Sequence, residues 1–278
     1  ILQYPVALFG VLRAGMVVAN VNPLYTGREL EHQLNDSGAK AIIIFENSAN
    51  VLQKIIDRTP VEYVMTTQIG DMLKFPKSLL VNIVIKHVKK MVPKFSFQNA
   101  TPYLKAIALG NQWIKMHGPV TAKTLPSDLM ALQYTGGTTG LAKGAMLSQS
   151  NLYQNVQQIK AHIPEFFSDN VEIFAAPLPL YHIFALTANC LTFLTLGGTN
   201  LLITNPRDMP AFVKELSKYK FTALTGVNTL FNGLLNTPGF KDLDFSGLKL
   251  ALGGGMAVQR PVAERWQQAC DPNFALGA

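Results

Sequence analysis

Between Tyr134 and Gly144 the chain concentrates four glycines, three threonines and a lysine in one run, Tyr-Thr-Gly-Gly-Thr-Thr-Gly-Leu-Ala-Lys-Gly. It follows directly on the apolar stretch Leu129–Tyr134, which reads as a β-strand. Neither a helix nor a strand interior suits that density of glycine, so the run has to be a loop and the fold must be built around its ends. Its chemistry is that of an anion cradle. Glycines let several backbone N–H groups point into one concavity, the hydroxyls of Thr135, Thr138 and Thr139 add donors, and Lys143 adds a positive charge. A triphosphate needs those groups without side-chain bulk. The plain alternative is a Gly/Thr-rich hairpin turn, although ordinary turns rarely gather so many such residues. The run is not a Walker A loop, because Ala142 precedes Lys143 and Gly144 follows it where Ser or Thr is required. Gly253-Gly254-Gly255 is not a dinucleotide fingerprint either, since Val258 stands where the last glycine should be.

The surrounding sequence alternates short apolar runs with helical periodicity, the pattern of an α/β protein. Residues Pro5 to Ala14 read as a helix. Thr26 and Glu29 have the spacing of a capping box, and Gly38 is placed to end the helix they open. Ala41–Phe45 and Val61–Thr66 read as parallel strands joined by a helix over Ala49–Arg58. Further strands are expected at Leu129–Tyr134, Val171–Ala175, Asn200–Ile203, Ala223–Gly226 and Leu248–Leu252. Helices are expected at Gln149–His162, Ile183–Leu196, Met209–Lys218, Asn228–Leu235 and Val258–Ala269. The apolar stretch Leu178–Ile203 is broken by His182, Asn189, Gly197, Gly198 and Asn200, so it reads as a buried helix and strand rather than a membrane span. The expected organisation is a first α/β portion over 1–70, a lysine-rich connecting segment over 71–127, and a second α/β portion over 128–278 carrying the loop.

The net charge of +7 is localised. Nine lysines and no acidic residue lie between Met72 and Ser127, and the rest of the chain carries a net −2. Within that window Leu79–Met91 has helical period, with Leu80, Val84, Val88 and Met91 on one face and Asn82, Lys86, Lys89 and Lys90 on the other. A basic amphipathic helix of this kind, with residues 79–94 around it, suits a membrane surface. The other reading is a helix packed on its own domain with solvated lysines. Nucleic acid is disfavoured, because arginine is scarce here and no aromatic platform or zinc spacing accompanies the lysines. Cys190 and Cys270 lack CxxC spacing, which points to neither zinc nor a disulfide framework and suits a reducing, cytoplasmic compartment.

The loop strongly resembles the phosphate-binding signature YTSGTTGxPKG of the adenylate-forming enzymes, the family of acyl- and aryl-CoA synthetases, luciferases and peptide-synthetase adenylation domains. It departs at Gly136, where Ser is usual, and at Ala142, where Pro is usual. The resemblance covers nearly the whole chain in the right order. It includes Leu12-Arg13-Ala14-Gly15 with Asn22-Pro23-Leu24-Tyr25, then Gly144–Ser148 with Asn151-Leu152, then Pro177–Phe184, then Gly253–Ala257. Within the family, the loop and the segments Leu178–Thr187 and Leu201–Asp208 resemble those of bacterial enzymes that activate long-chain fatty acids.

The resemblance implies the large N-terminal domain of the adenylate-forming fold, two mostly parallel α/β sheet subdomains, here incomplete at both ends. It implies ATP-dependent activation of a long-chain fatty acid to an acyl-adenylate, then thioester formation with CoA, with Mg2+ accompanying ATP. Tyr134, Thr135, Gly136, Gly137, Thr138, Thr139, Gly140, Lys143 and Gly144 would hold the phosphates, with Lys143 also catalytic and Thr138 an indirect partner of the metal. His182 would orient the carboxylate; a hydrogen-bonded loop histidine is its plain reading. Gly254, Gly255 and Met256 would bracket the adenine. Phe184, Val227 and Phe231, with Leu186 and Leu234 beside them, are candidate linings of an acyl pocket, although apolar residues at helical spacing are mostly core. The family's acidic adenine/magnesium motif, ribose-binding Asp and catalytic Lys would follow Ala278. The chain is therefore expected to be a fragment lacking the C-terminal cap domain and not to complete the reaction alone. A homodimer, and a peripheral position at the inner face of the cell membrane, remain open expectations. Two other functions compete with this one. An adenylation domain for another acid would often carry an acidic residue in its acid pocket, and Ala223–Leu235 has no charge. A non-catalytic nucleotide- or lipid-binding module would not need the intact loop.

Overall fold

The computed structural model describes residues 1–135, 141–163, 172–270 and, for the backbone alone, 276–277. The chain divides into two compact units, Ile1–Ser150 and Asn151–Ala278.

The first unit opens with α1 (Gln3–Arg13), β1 (Val18–Asn20) and α2 (Gly27–Ser37). The start of α2 is the expected capping box: the Thr26 hydroxyl accepts from the Glu29 N–H at 3.4 Å, and the Glu29 carboxylate accepts from the Thr26 N–H at 2.8 Å. Gly38 ends it at φ +62°, a left-handed conformation that a side chain would strain. Next come β2 (Ala41–Phe45), α3 (Ala49–Gln53), β3 (Tyr63–Thr67), α4 (Lys77–Ile83), β4 (Ala100–Pro102), α5 (Tyr103–His117), β5 (Leu129–Thr135) and β6 (Lys143–Ser148). Strands β2, β3 and β4 form one parallel sheet. Leu30 and Leu34 of α2 pack with Ile42 and Ile44 of β2, Leu52, Ile55 and Val64 of β3 in one buried cluster. The helix expected over Ala49–Arg58 is shorter, stopping at Gln53 and resuming as a single 3-10 turn at Ile56–Arg58. The second sheet runs β1-β5-β6, with β1 parallel and β6 antiparallel to β5. The glycine-rich run thus joins a hairpin, and because β5 pairs with β1 the hairpin lies in the first unit rather than with the residues that follow it.

The second unit holds one five-stranded parallel sheet. Helix α6 (Gln149–His162) leads into it, followed by β7 (Ile173–Ala176). A π-helical run, Ala185–Thr192, then closes with α7 (Phe193–Thr195). Next come β8 (Thr199–Leu202), α8 (Met209–Leu216), β9 (Ala223–Gly226), α9 (Asn228–Leu235), β10 (Leu250–Gly253), α10 (Arg260–Cys270) and β11 (Leu276–Gly277). The strand order is β11-β10-β9-β7-β8. Strands of such sheets are buried on both faces, and here Phe174, Ala175, Ala223, Leu224 and Ala251 are wholly buried. Phe212, Leu216, Phe221, Phe231, Leu234, Phe240 and Trp266 fill the core beside them. The expected helix over Ile183–Leu196 is present, but with π rather than α geometry through most of its length. Glu172 and Lys249 pair at the amino ends of β7 and β10.

Candidate phosphate loop and sheet-edge site

The ends of the glycine-rich run are fixed by strand register, with Tyr134 opposite Gly144 and Thr135 opposite Lys143. The Tyr134 ring lies over Gly144, where an added Cβ would come within 3.0 Å of Cε2 and Cζ. Glycine at 144 is thus required by close approach and not only by turn geometry. The Tyr134 hydroxyl donates to Asp36 Oδ2 at 2.6 Å. Burial, and then that hydrogen bond, push the Tyr134 phenol well above its ordinary range, so it is a protonated donor. On the far side, the Ala142 carbonyl accepts from His32 Nε2 at 2.9 Å, which places the imidazole proton on Nε2. Thr135 and Lys143 are exposed. Gly136, Gly137, Thr138, Thr139 and Gly140, expected to hold phosphate and, for Thr138, to assist a metal, lie outside the described residues.

Behind the hairpin a polar network spans four elements. Asn20 of β1 donates through Nδ2 to Gln133 Oε1 at 3.1 Å and accepts from the Tyr4 hydroxyl at 2.7 Å, while Gln33 of α2 donates to the Asn20 carbonyl at 2.8 Å. Asn20, Gln33 and Gln133 are buried, and buried polar groups linked in this way set a register that apolar packing would leave loose.

In the second unit, parallel strands bring their carboxyl ends to one edge of the sheet, where ligands of open α/β sheets bind. The segments after β7, β9 and β10 contain His182, Val227 and Gly254–Met256. Phe184 and Gly254 are in direct contact, for a Cβ at 254 would stand 2.7 Å from the Phe184 Cε1 and Cζ. Gly255 has φ +80°, which only glycine adopts without strain, and its missing Cβ would face Val227 Cγ1 at 3.8 Å. The Gly254 N–H donates to the Gly226 carbonyl at 3.2 Å, and Asn228 Oδ1 accepts from the Gln259 N–H at 2.9 Å, which holds the 254–259 loop to the start of α9. Met256 is 64% exposed. His182 is exposed, with its Nδ1 facing the Phe184 N–H at 3.4 Å and its carbonyl accepting from Leu186 at the head of the π-helical run.

Phe184, Val227, Gly254 and Gly255 are thus gathered at one place. Phe231 is not at that surface. It is wholly buried, its ring edge-on to Trp266 at 4.7 Å between centroids, and it lies beneath Gly226, where a Cβ would come within 2.8 Å of its Cζ. Leu186 and Leu234 are equally buried. Residues not singled out by sequence reasoning complete the edge. Asn189 and Thr225, both wholly buried, exchange hydrogen bonds at 3.0 and 3.1 Å and tie the π-helical run to β9. Among the described residues no cluster of three His, Cys, Asp or Glu is arranged to hold a metal, and no helix is long and apolar enough to cross a membrane. Burial pushes the Cys190 and Cys270 thiols up to about 11 and about 12, so both stay un-ionised at neutral pH.

Residues 1–276 match the family model of AMP-binding enzymes. The chain is 57% identical over 268 residues to the long-chain-fatty-acid–CoA ligase of Escherichia coli O157:H7, covering 96% of this chain and 47% of that protein. It is 53% identical over 279 residues to the enzyme of the same name from Haemophilus influenzae, covering 100% of this chain and 49% of that protein. It therefore spans about half the length of the curated relatives it matches. Among solved structures, the anthranilate CoA ligase AuaEII in complex with anthranoyl-AMP superposes with a TM-score of 0.72 at 17% identity, over 97% of this chain and 46% of that one. A long-chain-fatty-acid-CoA ligase from Archaeoglobus fulgidus gives 0.69 at 22% identity, over 97% of this chain and 47% of that one. These likenesses show a shared fold. With the family model matched along almost its whole length, the chain belongs to the AMP-binding, adenylate-forming enzymes.

Proposed function

We propose that this chain is the nucleotide- and acid-binding portion of an enzyme that activates a long-chain fatty acid with ATP and transfers the acyl group to CoA. In the first step a carboxylate oxygen attacks the α-phosphorus, pyrophosphate leaves, and an acyl-adenylate forms. In the second, the CoA sulfur attacks the acyl carbonyl and AMP leaves. Neither step needs a protein nucleophile. The protein's work is positioning and stabilisation of developing charge. Thr135 to Gly144 would receive the phosphates, with Lys143 opposing charge on the departing pyrophosphate and Mg2+ bound through ATP. Gly254, Gly255 and Met256 would take the adenine. Phe184 and Val227 would face the acid, and His182, exposed with Nδ1 turned toward the Phe184 N–H, would offer Nε2–H to a carboxylate. The observation that carries the reading is 57% identity along 96% of the chain to a protein named for this reaction. The uncharged segment Ala223–Leu235 favours an aliphatic acid over an amino acid.

The test is ATP–pyrophosphate exchange dependent on palmitate, in the full-length protein that carries this chain. Exchange that needs both substrates and is abolished by Lys143→Ala supports the reading. Exchange driven by an amino or aryl acid instead would redirect it.

A second reading concerns where the enzyme works, and a specific observation favours it. Asn82 of α4 faces inward, accepting from the Gly70 N–H at 2.7 Å and donating to Asp71 at 3.2 Å. Leu79, Leu80, Ile83, Val84, Val88 and Met91 are all exposed, so the helix and the turn after it present their apolar face outward. Lys77, Lys89, Lys90 and Lys94, in and just beyond the same segment, are exposed as well. Apolar side chains accompanied by lysine suit the surface of an anionic bilayer, in which long-chain acids are dissolved. Flotation with vesicles containing phosphatidylglycerol, lost in neutral vesicles and in Leu80→Glu/Val84→Glu, would support this. Light scattering that finds a dimer broken by the same substitutions would assign the face to a second copy.

A further inference from the structure

Helix α2 reaches the glycine-rich hairpin at both of its stems. His32 and Asp36 are four residues apart and so share one face of the helix. His32 Nε2 holds the Ala142 carbonyl at 2.9 Å on the outgoing stem, and Asp36 Oδ2 holds the Tyr134 hydroxyl at 2.6 Å on the incoming stem. Between them, Gln33 is anchored to the Asn20 carbonyl on the neighbouring strand at 2.8 Å. We propose that His32 and Asp36 are positioning residues for ATP, a two-point clamp from α2 that holds the ends of the phosphate-binding loop at a fixed separation. The proposal rests on the phosphate reading of Thr135–Gly144.

The physical need is clear from composition. Backbone rich in glycine loses more conformational freedom than any other when it is held in one shape, and a loop that presents N–H groups to phosphate must be held before the ligand arrives if affinity is not to be spent on ordering it. Fixing both ends lowers that cost, provided that the fixing element is itself rigid. Helix α2 meets that condition. It is capped at both ends, and Leu30 and Leu34 pack into the cluster on β2 and β3. Glu31 receives a two-pronged pair from Arg58 at 2.9 and 2.8 Å, and Asn35 donates to the Arg58 carbonyl at 3.0 Å. The His32–Asp36 side is left to face the hairpin. Neither residue is placed to touch the acid by this argument, so the clamp should act on ATP and on ATP alone.

The experiment is ATP–pyrophosphate exchange in the full-length protein that carries this chain, with thermal melting measured in parallel. His32→Ala and Asp36→Ala are each expected to raise KM for ATP about 3- to 10-fold, the worth of one hydrogen bond, while KM for palmitate stays near wild type and the melting temperature falls by no more than the few degrees that one hydrogen bond accounts for. His32→Gln, whose amide nitrogen can donate from the same position, is expected to restore most of the ATP affinity. Unchanged KM for ATP in both variants would overturn the clamp. So would a parallel rise in both KM values together with a fall in melting temperature, since that marks a structural role only. Lys143→Ala separates the two levels. If it weakens ATP while the His32 and Asp36 variants do not, the clamp fails and the phosphate loop stands; if Lys143→Ala also leaves ATP untouched, the loop reading has failed first.

Discussion

The ring of Phe184 lies directly against the backbone of Gly254, so closely that a single methyl at 254 would stand 2.7 Å from two ring carbons. Phe184 leads into the π-helical run and Gly254 follows β10, so the contact joins two of the three segments that leave the carboxyl edge of the sheet. Gly254→Ala must push the ring away, because the three atoms nearest to the added methyl all belong to it. If this edge binds adenine and acid as proposed, the substitution should lower kcat/KM for acyl-adenylate formation by about 10- to 100-fold, the penalty of misplacing reacting groups by around 1 Å. Phe184→Leu in the same protein removes the ring that is struck and should recover part of the loss. Exchange kinetics on the two single variants and the double measure the coupling. Additive effects would mean that the contact does not transmit to the site.

A second prediction concerns Tyr134 and pH. Its hydroxyl is held protonated by burial and by Asp36, so its folded pKa lies above the unfolded value of about 10. Below that unfolded value the stability linked to it is fully present. As pH rises past it, the unfolded chain releases the proton before the folded one, and the contribution is lost. Tyr134→Phe cannot titrate. At neutral pH it should be less stable by about 1 kcal/mol, the value of a partly exposed hydrogen bond to a carboxylate. Denaturant melts at pH 8 and pH 11 should show the gap between wild type and variant closing at the higher pH.

Much of this arrangement is legible in the sequence where local signals are complete. The capping box at Thr26 and Glu29, the left-handed Gly38, and the limits of α6, α9, β2 and β9 are as the spacing predicts. Where length or context decides, the sequence says less. Strand β1 has three residues, and β4 ends on a proline, so neither has the alternation that marks a strand. Helix α5 falls inside the lysine-rich connecting segment over 71–127, where the sequence marks only the helical period of Leu79–Met91. Periodicity identified an amphipathic helix at α4 but could not say which face turns inward; Asn82 does, because Gly70 and Asp71 satisfy its amide. His32 and Asp36 carry a faint mark, polar residues on the side of α2 opposite to Leu30 and Leu34. What makes them notable is the pairing with residues about a hundred positions later, and no local pattern encodes that.

The pair between Glu172 and Lys249 should matter to folding and not to catalysis. It joins the amino ends of β7 and β10, the edge away from the proposed site. Glu172 is 2% exposed, so Lys249→Met would leave a carboxylate buried without its cation. A loss of about 2–4 kcal/mol is expected, less than for a fully buried pair because the lysine is partly solvated. Adding Glu172→Gln should return much of it. Chemical denaturation gives the stabilities, and unaltered KM for ATP and palmitate at 25 °C would confirm that this edge is structural.

Phe231 decides between two roles by the kind of damage its removal causes. Its ring has no exposed surface and is enclosed by Trp266, Gly226 and the cluster of Phe212, Leu216 and Phe240. Were it part of an acyl pocket, a smaller residue would lengthen the pocket and move preference toward longer acids with little loss of stability. As core, Phe231→Ala should cost about 3–5 kcal/mol through lost burial and a cavity that its aromatic neighbours cannot close. Phe231→Leu keeps most of the volume and should cost far less. The readout is therefore double, with stability by denaturant melting and chain-length preference by exchange across laurate, palmitate and stearate. We expect Phe231→Leu to fold, to lose modest stability and to leave the order of the three acids as in wild type. The corresponding change at Val227, which faces Gly255 at the surface of the same edge, should alter that order without a comparable loss of stability. A shift toward stearate in Phe231→Leu would return the residue to the pocket wall.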